Sequence, residues 1–363
     1  MAVSTRKRVV VADDSGLMRR VVSHALENEG FEVVGAAADG DEALALCQRL
    51  RPDAMTLDLA MPGLDGMGVL RALRNPSHPA PTDVPVVVVS AFSPAHGARA
   101  VDALAEGAFD LVAKPATGEP LSTFVTELGD KVRAAAASRR PGGATARRPA
   151  TNGHAVRRHA QPPTPASRVV ARPASRTARV VVIASSTGGP RALAELMPKL
   201  PARLGAGTLM VQHMPAGFTA SLAQRLDRAS KLTIKEATGG ELLDPSVALL
   251  APGGSHLRLV DGRKAQLSDA PAIGALRPRA DLTIQDVAEA YGERTLLVVL
   301  TGMGRDGLDA ARVVKKRGGR ILVEAESSCT VYGMPRAIAE AGLADQVLDL
   351  RDLPAAIAQE AGA

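Results

Sequence analysis

Short apolar runs alternate with amphipathic stretches along most of the chain. Arg8–Ala12 (RVVVA), Phe31–Ala36, Ala54–Leu57, Val84–Ser90 (VPVVVVS) and Leu111–Ala113 read as strands. Leu17–Glu29 places Leu17, Val21, Val22, Ala25 and Leu26 at helical spacing, and Asp41–Leu50 predicts a second helix. Val84–Ser90 is apolar on both faces, as strands of a parallel sheet covered on both sides must be. The pattern resumes at Ala178–Ala184 (ARVVVIA), with a helix over Arg191–Leu200 and a strand at Thr208–Gln212 (TLMVQ). VALLAPGGSHLRLV reads as two strands around a Gly-rich turn, and Arg294–Leu300 (RTLLVVL) as a buried strand. Strands alternating with helices predict doubly wound, mainly parallel α/β sheets. The expectation is two such domains, over residues 6–130 and 179–355.

Between them, residues 133–178 are rich in Arg, Pro, Ala and small polar residues and show no apolar periodicity. This segment reads as a disordered linker. Charge sharpens the point. Arg133 to Arg179 holds eleven Arg with no Lys, Asp or Glu, so the rest of the chain is net acidic although the whole is +6. The segment is either a solvated tether or an arm that touches nucleic acid or acidic lipid. No basic folded face accompanies it, which favours the tether and argues against nucleic acid as a partner.

Composition removes further classes. Aromatics make up 2% of the 363 residues, with no Trp, which is too few for a base-stacking platform. Cys47 and Cys329 stand far apart, excluding a disulfide scaffold or a cysteine zinc cluster and fitting a reducing cytoplasm. No apolar run approaches the ~18 residues of a spanning helix, so membrane insertion is not expected. The start, MAVSTRKRVVVADD, lacks the pattern of a signal peptide.

In a doubly wound sheet, function gathers at the carboxyl ends of the strands. In the first domain those ends carry Asp13, Asp14, Asp58, Ser90 and Lys114. Each Asp alone could cap a following helix. Three carboxylates together repel one another unless a cation sits among them, and a hard divalent ion such as Mg²⁺ fits. A carboxylate is also a competent phosphoryl acceptor, and a nearby hydroxyl and ammonium could hold phosphoryl oxygens. The motifs VVVADDS, TLDLAMPGLDG, VVVVSA and AKP, in this order, resemble the response-regulator receiver domain, a flavodoxin-like fold. The resemblance implies Asp58 as phosphoacceptor and a Mg²⁺ site of Asp13, Asp14, Asp58 and the Ala60 carbonyl. It also implies Ser90 and Lys114 as the phosphate-sensing pair and a sensor histidine kinase as phosphodonor. Ala60 stands where a carboxylate often occurs. Leu111 stands where many receivers carry an aromatic, so the usual aromatic-rotation switch is not expected to operate.

In the second domain, Ser185-Ser186-Thr187-Gly188-Gly189-Pro190 places hydroxyls between a strand and a helix N-terminus. Such a turn suits a nucleophile or an anion-binding loop, although Ser186 or Thr187 would also serve as a helix N-cap. It is neither a P-loop nor a G-x-S-x-G elbow. Of seven His, five fall in the first domain or the linker, leaving His213 and His256. His213 follows the strand Thr208–Gln212, and Asp306 follows the strand Arg294–Leu300. Ser186, His213 and Asp306 thus sit at the ends of three strands, a triad constellation in the order Ser, His, Asp.

The motifs SSTGGP, QHMPAGFT, APGGSHL, TGMGRDG and VYGMPRA resemble the Rossmann-like catalytic domain of the chemotaxis protein-glutamate methylesterase/glutaminase family. The resemblance implies Ser186 as nucleophile, His213 as general base and acid, and Asp306 as the group orienting the imidazole. It implies the Met303 N–H in the oxyanion hole, Thr187 and His256 lining the site, and no cofactor in this domain. The reaction implied is hydrolysis of glutamyl methyl esters on methyl-accepting chemoreceptors, releasing methanol, with deamidation of certain glutamines. Departures fall at Arg277-Pro278-Arg279-Ala280-Asp281, where the family usually reads Arg-Pro-Ser-Val-Asp, and at the stretch before VYGMP. Alternative readings are a non-enzymatic signalling adaptor, an esterase on another protein substrate, and a DNA-binding regulator. The last needs a basic C-terminal recognition helix, whereas Asp345–Ala363 has one Arg against four acidic residues.

Overall fold

The computed structural model describes residues 6–75, 83–91, 94–115, 121–138 and 178–362. The first part is a five-stranded parallel sheet of β1 (Arg8–Ala12), β2 (Glu32–Ala37), β3 (Ala54–Leu57), β4 (Val86–Ser90) and β5 (Asp110–Ala113), in the order β2-β1-β3-β4-β5. Its helices are α1 (Gly16–Asn28), α2 (Gly40–Leu50), α3 (Gly66–Arg74), α4 (Pro94–Ala105) and α5 (Leu121–Ser138). Alternate strand residues feed two cores: Val9, Val11, Val87, Val89 and Val112 pack under α1 and α5, whereas Val10, Met55, Leu57 and Val88 face α2 and α3. This is the flavodoxin-like order, and its switch point lies between β1 and β3.

The second part is a seven-stranded parallel sheet. In chain order it holds β6 (Val180–Ser185), α6 (Gly189–Leu196), β7 (Gly207–Gln212), α7 (Thr219–Ala229), β8 (Thr233–Glu236) and β9 (Val247–Leu250). An antiparallel hairpin, β10 (His256–Val260) and β11 (Lys264–Ser268), precedes α8 (Ala280–Tyr291) and β12 (Thr295–Val299). Then follow α9 (Leu308–Lys316), β13 (Arg320–Glu324), α10 (Met334–Glu340), β14 (Gln346–Leu348) and α11 (Leu353–Ala361). The sheet order is β14-β13-β12-β6-β7-β9-β8. The chain starts at the centre, fills one side, and returns beside β6 with β12. Every residue of β6, β7 and β12 is buried, so their carboxyl ends form a rigid platform. The two strands around the Gly-rich turn exist, but they part company: β9 joins the main sheet and β10 pairs with β11.

Two expected boundaries shift. Helix α5 continues to Ser138, so residues 133–138 are helical rather than linker. The run Ala134–Ala137 favours helix, and Val132, Ala135 and Ala136 are buried in the first core. Arg133 also pairs with Glu29 at 2.9 Å. The second part extends past residue 355, because Leu353, Ile357 and Ala361 of α11 are fully buried. The rest of the expected linker, residues 139–177, lies outside the described residues.

The two parts pack directly on one another. Helix α4 lies against α6 and α7. Asp102 of α4 pairs with Arg225 of α7, and a Cβ added to Gly97 would fall 2.9 Å from the Gly217 carbonyl oxygen. At the start of β5, Asp110 Oδ2 accepts a 2.6 Å hydrogen bond from Thr187 Oγ1. A cavity of about 290 Å³ remains beside this contact, lined by Phe109, Gly188, Arg191, Thr301 and Thr330 among others.

Candidate active site and phosphorylation site

The turn after β6 is shaped by close approach. Gly188 has φ +81°, and a Cβ on Gly189 would stand 1.9 Å from Gln212 Oε1. Gly188 is the N-cap of α6 without any side-chain acceptor, so neither Ser186 nor Thr187 caps that helix. Ser186 is held by its backbone: its N–H donates to the Thr301 carbonyl at 3.0 Å, and its carbonyl accepts from Gln212 Nε2 at 2.9 Å. Gln212 Nε2 also reaches the His213 carbonyl, and Gln212 Oε1 accepts from Ser185 Oγ at 2.7 Å. Gln212 thereby splices the loops after β6 and β7. Nothing in the strand pattern singled it out.

His213 follows β7 and is nearly buried, and its Nε2 lies 2.8 Å from Asp306 Oδ2. Asp306 arrives from the loop after β12 and is 3% exposed. Oδ2 also accepts from the Ala280 N–H at 2.7 Å, and Oδ1 from the Asp281 N–H at 3.0 Å. These are the first two amides of α8, whose N-cap Arg279 offers no capping side chain. Asp306 fills that role from a distance, and the helix N-terminus favours its charge. Arg279 Nε adds an ion pair to Oδ1 at 3.0 Å. Burial alone would raise the Asp306 pKa. The hydrogen bond and charge of His213, with the Ala280 and Asp281 amides, outweigh it and hold the carboxyl well below the usual range. An ionised Asp306 accepts a hydrogen bond from the N–H at His213 Nε2, which leaves Nδ1 as the nitrogen free to act as a base. Among the described residues, Ser186 Oγ makes no hydrogen bond, and resting sites often hold this contact loosely.

The remaining expected positions fall around this set. Met303 lies in the turn after β12, and its N–H donates to no acceptor among the described residues. The turn presses on the serine, for a Cβ on Gly302 would stand 2.8 Å from Ser186 Cβ. Thr187 is buried beside Ser186, with its hydroxyl spent on Asp110 and its carbonyl bonded to Thr301 Oγ1 at 2.9 Å. His256 is fully buried, accepts the Arg279 N–H on Nδ1 at 3.1 Å, and contacts the Pro271 carbonyl through Nε2. It braces the turn that carries Arg279 and makes no bond to Ser186, His213 or Asp306. Glu324, fully buried at the end of β13, accepts the Thr301 N–H at 2.8 Å.

A second acidic site lies at the ends of β1, β3 and β5. One carboxylate oxygen each of Asp13, Asp14 and Asp58 falls within 4.8 Å of the others. None caps a helix: Ser15 caps α1 and Asp65 caps α3. Lys114 Nζ lies 2.7 Å from both Asp13 Oδ2 and Asp58 Oδ2. Burial raises the Asp13 pKa despite Lys114, which marks a carboxylate short of counter-charge. Burial opposes the Lys114 charge too, but Asp13 and Asp58 outweigh it and raise the ammonium's pKa. Ser90 Oγ is buried and, among the described residues, without a hydrogen bond. Ala60 is exposed, with its N–H 3.3 Å from Asp58 Oδ1. Leu111 is buried among aliphatic residues, as its place on β5 requires. The hard oxygens fit a divalent cation, and the ammonium and free hydroxyl fit phosphoryl oxygens.

Comparisons with known proteins agree with this division. A family model described as CheB methylesterase matches residues 181–357, and one described as response regulator receiver domain matches residues 9–126. The chain is 40% identical to a protein-glutamate methylesterase/protein-glutamine glutaminase of Symbiobacterium thermophilum, covering 98% of this chain and 97% of that one. It is 39% identical to a similarly named protein of Koribacter versatilis, covering 97% and 95%. Among solved structures it resembles the CheB methylesterase catalytic domain of Thermotoga maritima, at 43% identity and TM-score 0.49 over 50% of this chain and 98% of that one.

Proposed function

The chain belongs to the protein-glutamate methylesterase/protein-glutamine glutaminase family, and we propose that Ser186, His213 and Asp306 carry its hydrolysis of glutamyl methyl esters on chemoreceptors. The observation that supports this most is the His213–Asp306 contact, buried at the platform formed by β12, β6 and β7, with Ser186 on the neighbouring loop. His213 Nδ1 takes the Ser186 proton as the hydroxyl attacks the ester carbonyl. The Met303 N–H stabilises the oxyanion, with Thr187 and the buried His256 shaping the wall around it. Such a donor is worth about 3–4 kcal/mol. Methanol leaves with the proton from His213, and water cleaves the acyl-enzyme by the same steps in reverse order. Receptor glutamines are hydrolysed through the same acyl-enzyme, with ammonia as the leaving group. The measurement is methanol release from methylated receptor cytoplasmic fragments, with and without a small-molecule phosphodonor and Mg²⁺. Release that is absent, or indifferent to Ser186, would favour an adaptor.

We further propose that a sensor histidine kinase phosphorylates Asp58 in the cytoplasm. Asp13, Asp14, Asp58 and the Ala60 carbonyl would hold Mg²⁺, which neutralises charge during phosphoryl transfer. Ser90 and Lys114 would hold the phosphoryl oxygens. Asp58→Asn is expected to abolish any rise in methanol release on adding phosphodonor; a rise that persists would move the acceptor elsewhere.

Regulation follows from the contact between the two parts. Asp110 holds Thr187, the residue after Ser186, and α4 covers α6 and α7. The receiver in this docked position would obstruct the serine loop. Removing residues 1–140 is expected to raise the unphosphorylated rate by about tenfold, within the usual range of allosteric coupling. An unchanged or lower rate in the truncated chain would count against obstruction.

A further inference from the structure

Arg279 stands in the segment that departs from the family's usual Arg-Pro-Ser-Val-Asp. Its guanidinium lies between the buried carboxylate of Asp306 and the half-buried one of Asp281, with Nε 3.0 Å from Asp306 Oδ1 and Nη2 2.7 Å from Asp281 Oδ2. Asp281 Oδ1 in turn accepts the Gly307 and Ala310 N–H groups, locking the Asp306 loop to the start of α8. The two oxygens of Asp306 are divided: Oδ2 serves His213 and Oδ1 serves Arg279. We propose that Arg279 is a positioning residue for the reaction, sharing the charge of Asp306 at Oδ1 so that Asp306 holds His213 in place while the imidazole stays able to accept the Ser186 proton.

This rests on the catalytic roles given above to His213 and Asp306. An ionised carboxylate beside a buried imidazole favours its protonated form, and only the neutral imidazole can act as a base. Arg279 is the one other cation that contacts Asp306 among the described residues. The charged and titratable groups around it are Asp281 on α8, Asp309 on α9, His213 after β7 and the buried His256 of β10, which fixes the Arg279 backbone. Without the guanidinium, Asp306 and Asp281 would face each other with only His213 as counter-charge. The imidazole would then hold its proton to higher pH. Arg also presents a rigid fork that spans two carboxylates at once, which a Lys ammonium does less well.

The test is the pH profile of kcat/KM for methanol release by the full chain and by Arg279→Gln, Arg279→Ser and Arg279→Lys. Loss of the charge in Gln and Ser is expected to move the acid limb up by about 0.5–1 pH unit. The alkaline plateau should fall by a smaller amount, about threefold, for lost alignment. Lys should bring the limb back to the wild-type position while keeping a lowered plateau. A merely structural role predicts a lowered plateau with an unmoved limb in Gln and Ser, and that result overturns the proposal. Should Gln and Ser fail to fold by circular dichroism, Arg279→Met, which keeps the bulk and removes the charge, takes their place: an acid limb raised above wild type supports the proposal, and an unmoved limb overturns it. If the wild type shows no release dependent on Ser186, the catalytic assignment itself falls, a failure told apart by the absence of any profile to compare.

Discussion

Ser186→Ala is expected to lower methanol release by about 10⁵-fold, the scale seen when a triad nucleophile is removed. The side chain makes no hydrogen bond that the fold relies on: Ser186 is held through its N–H and carbonyl, by Thr301 and Gln212. Stability should therefore change by well under ~1 kcal/mol, as for substitutions that break no buried contact. Thermal unfolding of the variant beside wild type separates lost chemistry from lost structure. Residual release within about tenfold of wild type would remove Ser186 from the mechanism.

Asp306→Asn is expected to cost about 10⁴-fold in kcat, since an amide facing the imidazole favours the wrong tautomer. Here the damage has a second source. The Asp306 carboxylate accepts from His213, Ala280 and Asp281 and pairs with Arg279. An amide has one acceptor oxygen for these donors and leaves Arg279 beside a neutral group. Unlike Ser186→Ala, this variant should also be less stable, by about 1–3 kcal/mol for the buried amide donors left short of an acceptor, while Arg279 keeps Asp281 as counter-charge. The check is kcat together with the unfolding midpoint. A stable, inactive Asp306→Asn would mean that the α8 amides and Arg279 find other partners.

The placement of Ser186, His213 and Asp306 was legible because each follows a buried strand of the same sheet. Val180–Ser185, Gly207–Gln212 and Thr295–Val299 are fully buried strands, and a polar residue just beyond such a run must emerge at the sheet edge. The same logic exposed Asp13, Asp58, Ser90 and Lys114. Gln212 escaped because it is the last residue of its strand and looks like ordinary punctuation. Arg279 escaped because its meaning depends on Asp306 and Asp281 meeting across α8 and α9, a relation with no local signature. The end of α5 was misread because its Ala run merges in composition with the Arg/Ala-rich stretch that follows. The docking of the two parts was invisible for a plainer reason: Asp110 opens a strand in one half, Thr187 follows a strand in the other, and neither sequence pattern refers to its partner.

Strand β5 is only four residues long, yet Asp110 at one end grips Thr187 and Lys114, just past the other, grips Asp58. The strand thus joins the contact between the two parts to the acidic site. Coupling free energy has no preferred direction. A ligand that opens the ester cleft by lifting Asp110 off Thr187 must therefore favour the phosphorylated receiver by the same factor that phosphorylation favours the open cleft. On the functions proposed above, an occupied cleft and a phosphorylated Asp58 would then each favour the undocked arrangement, and neither could do so without making it easier for the other.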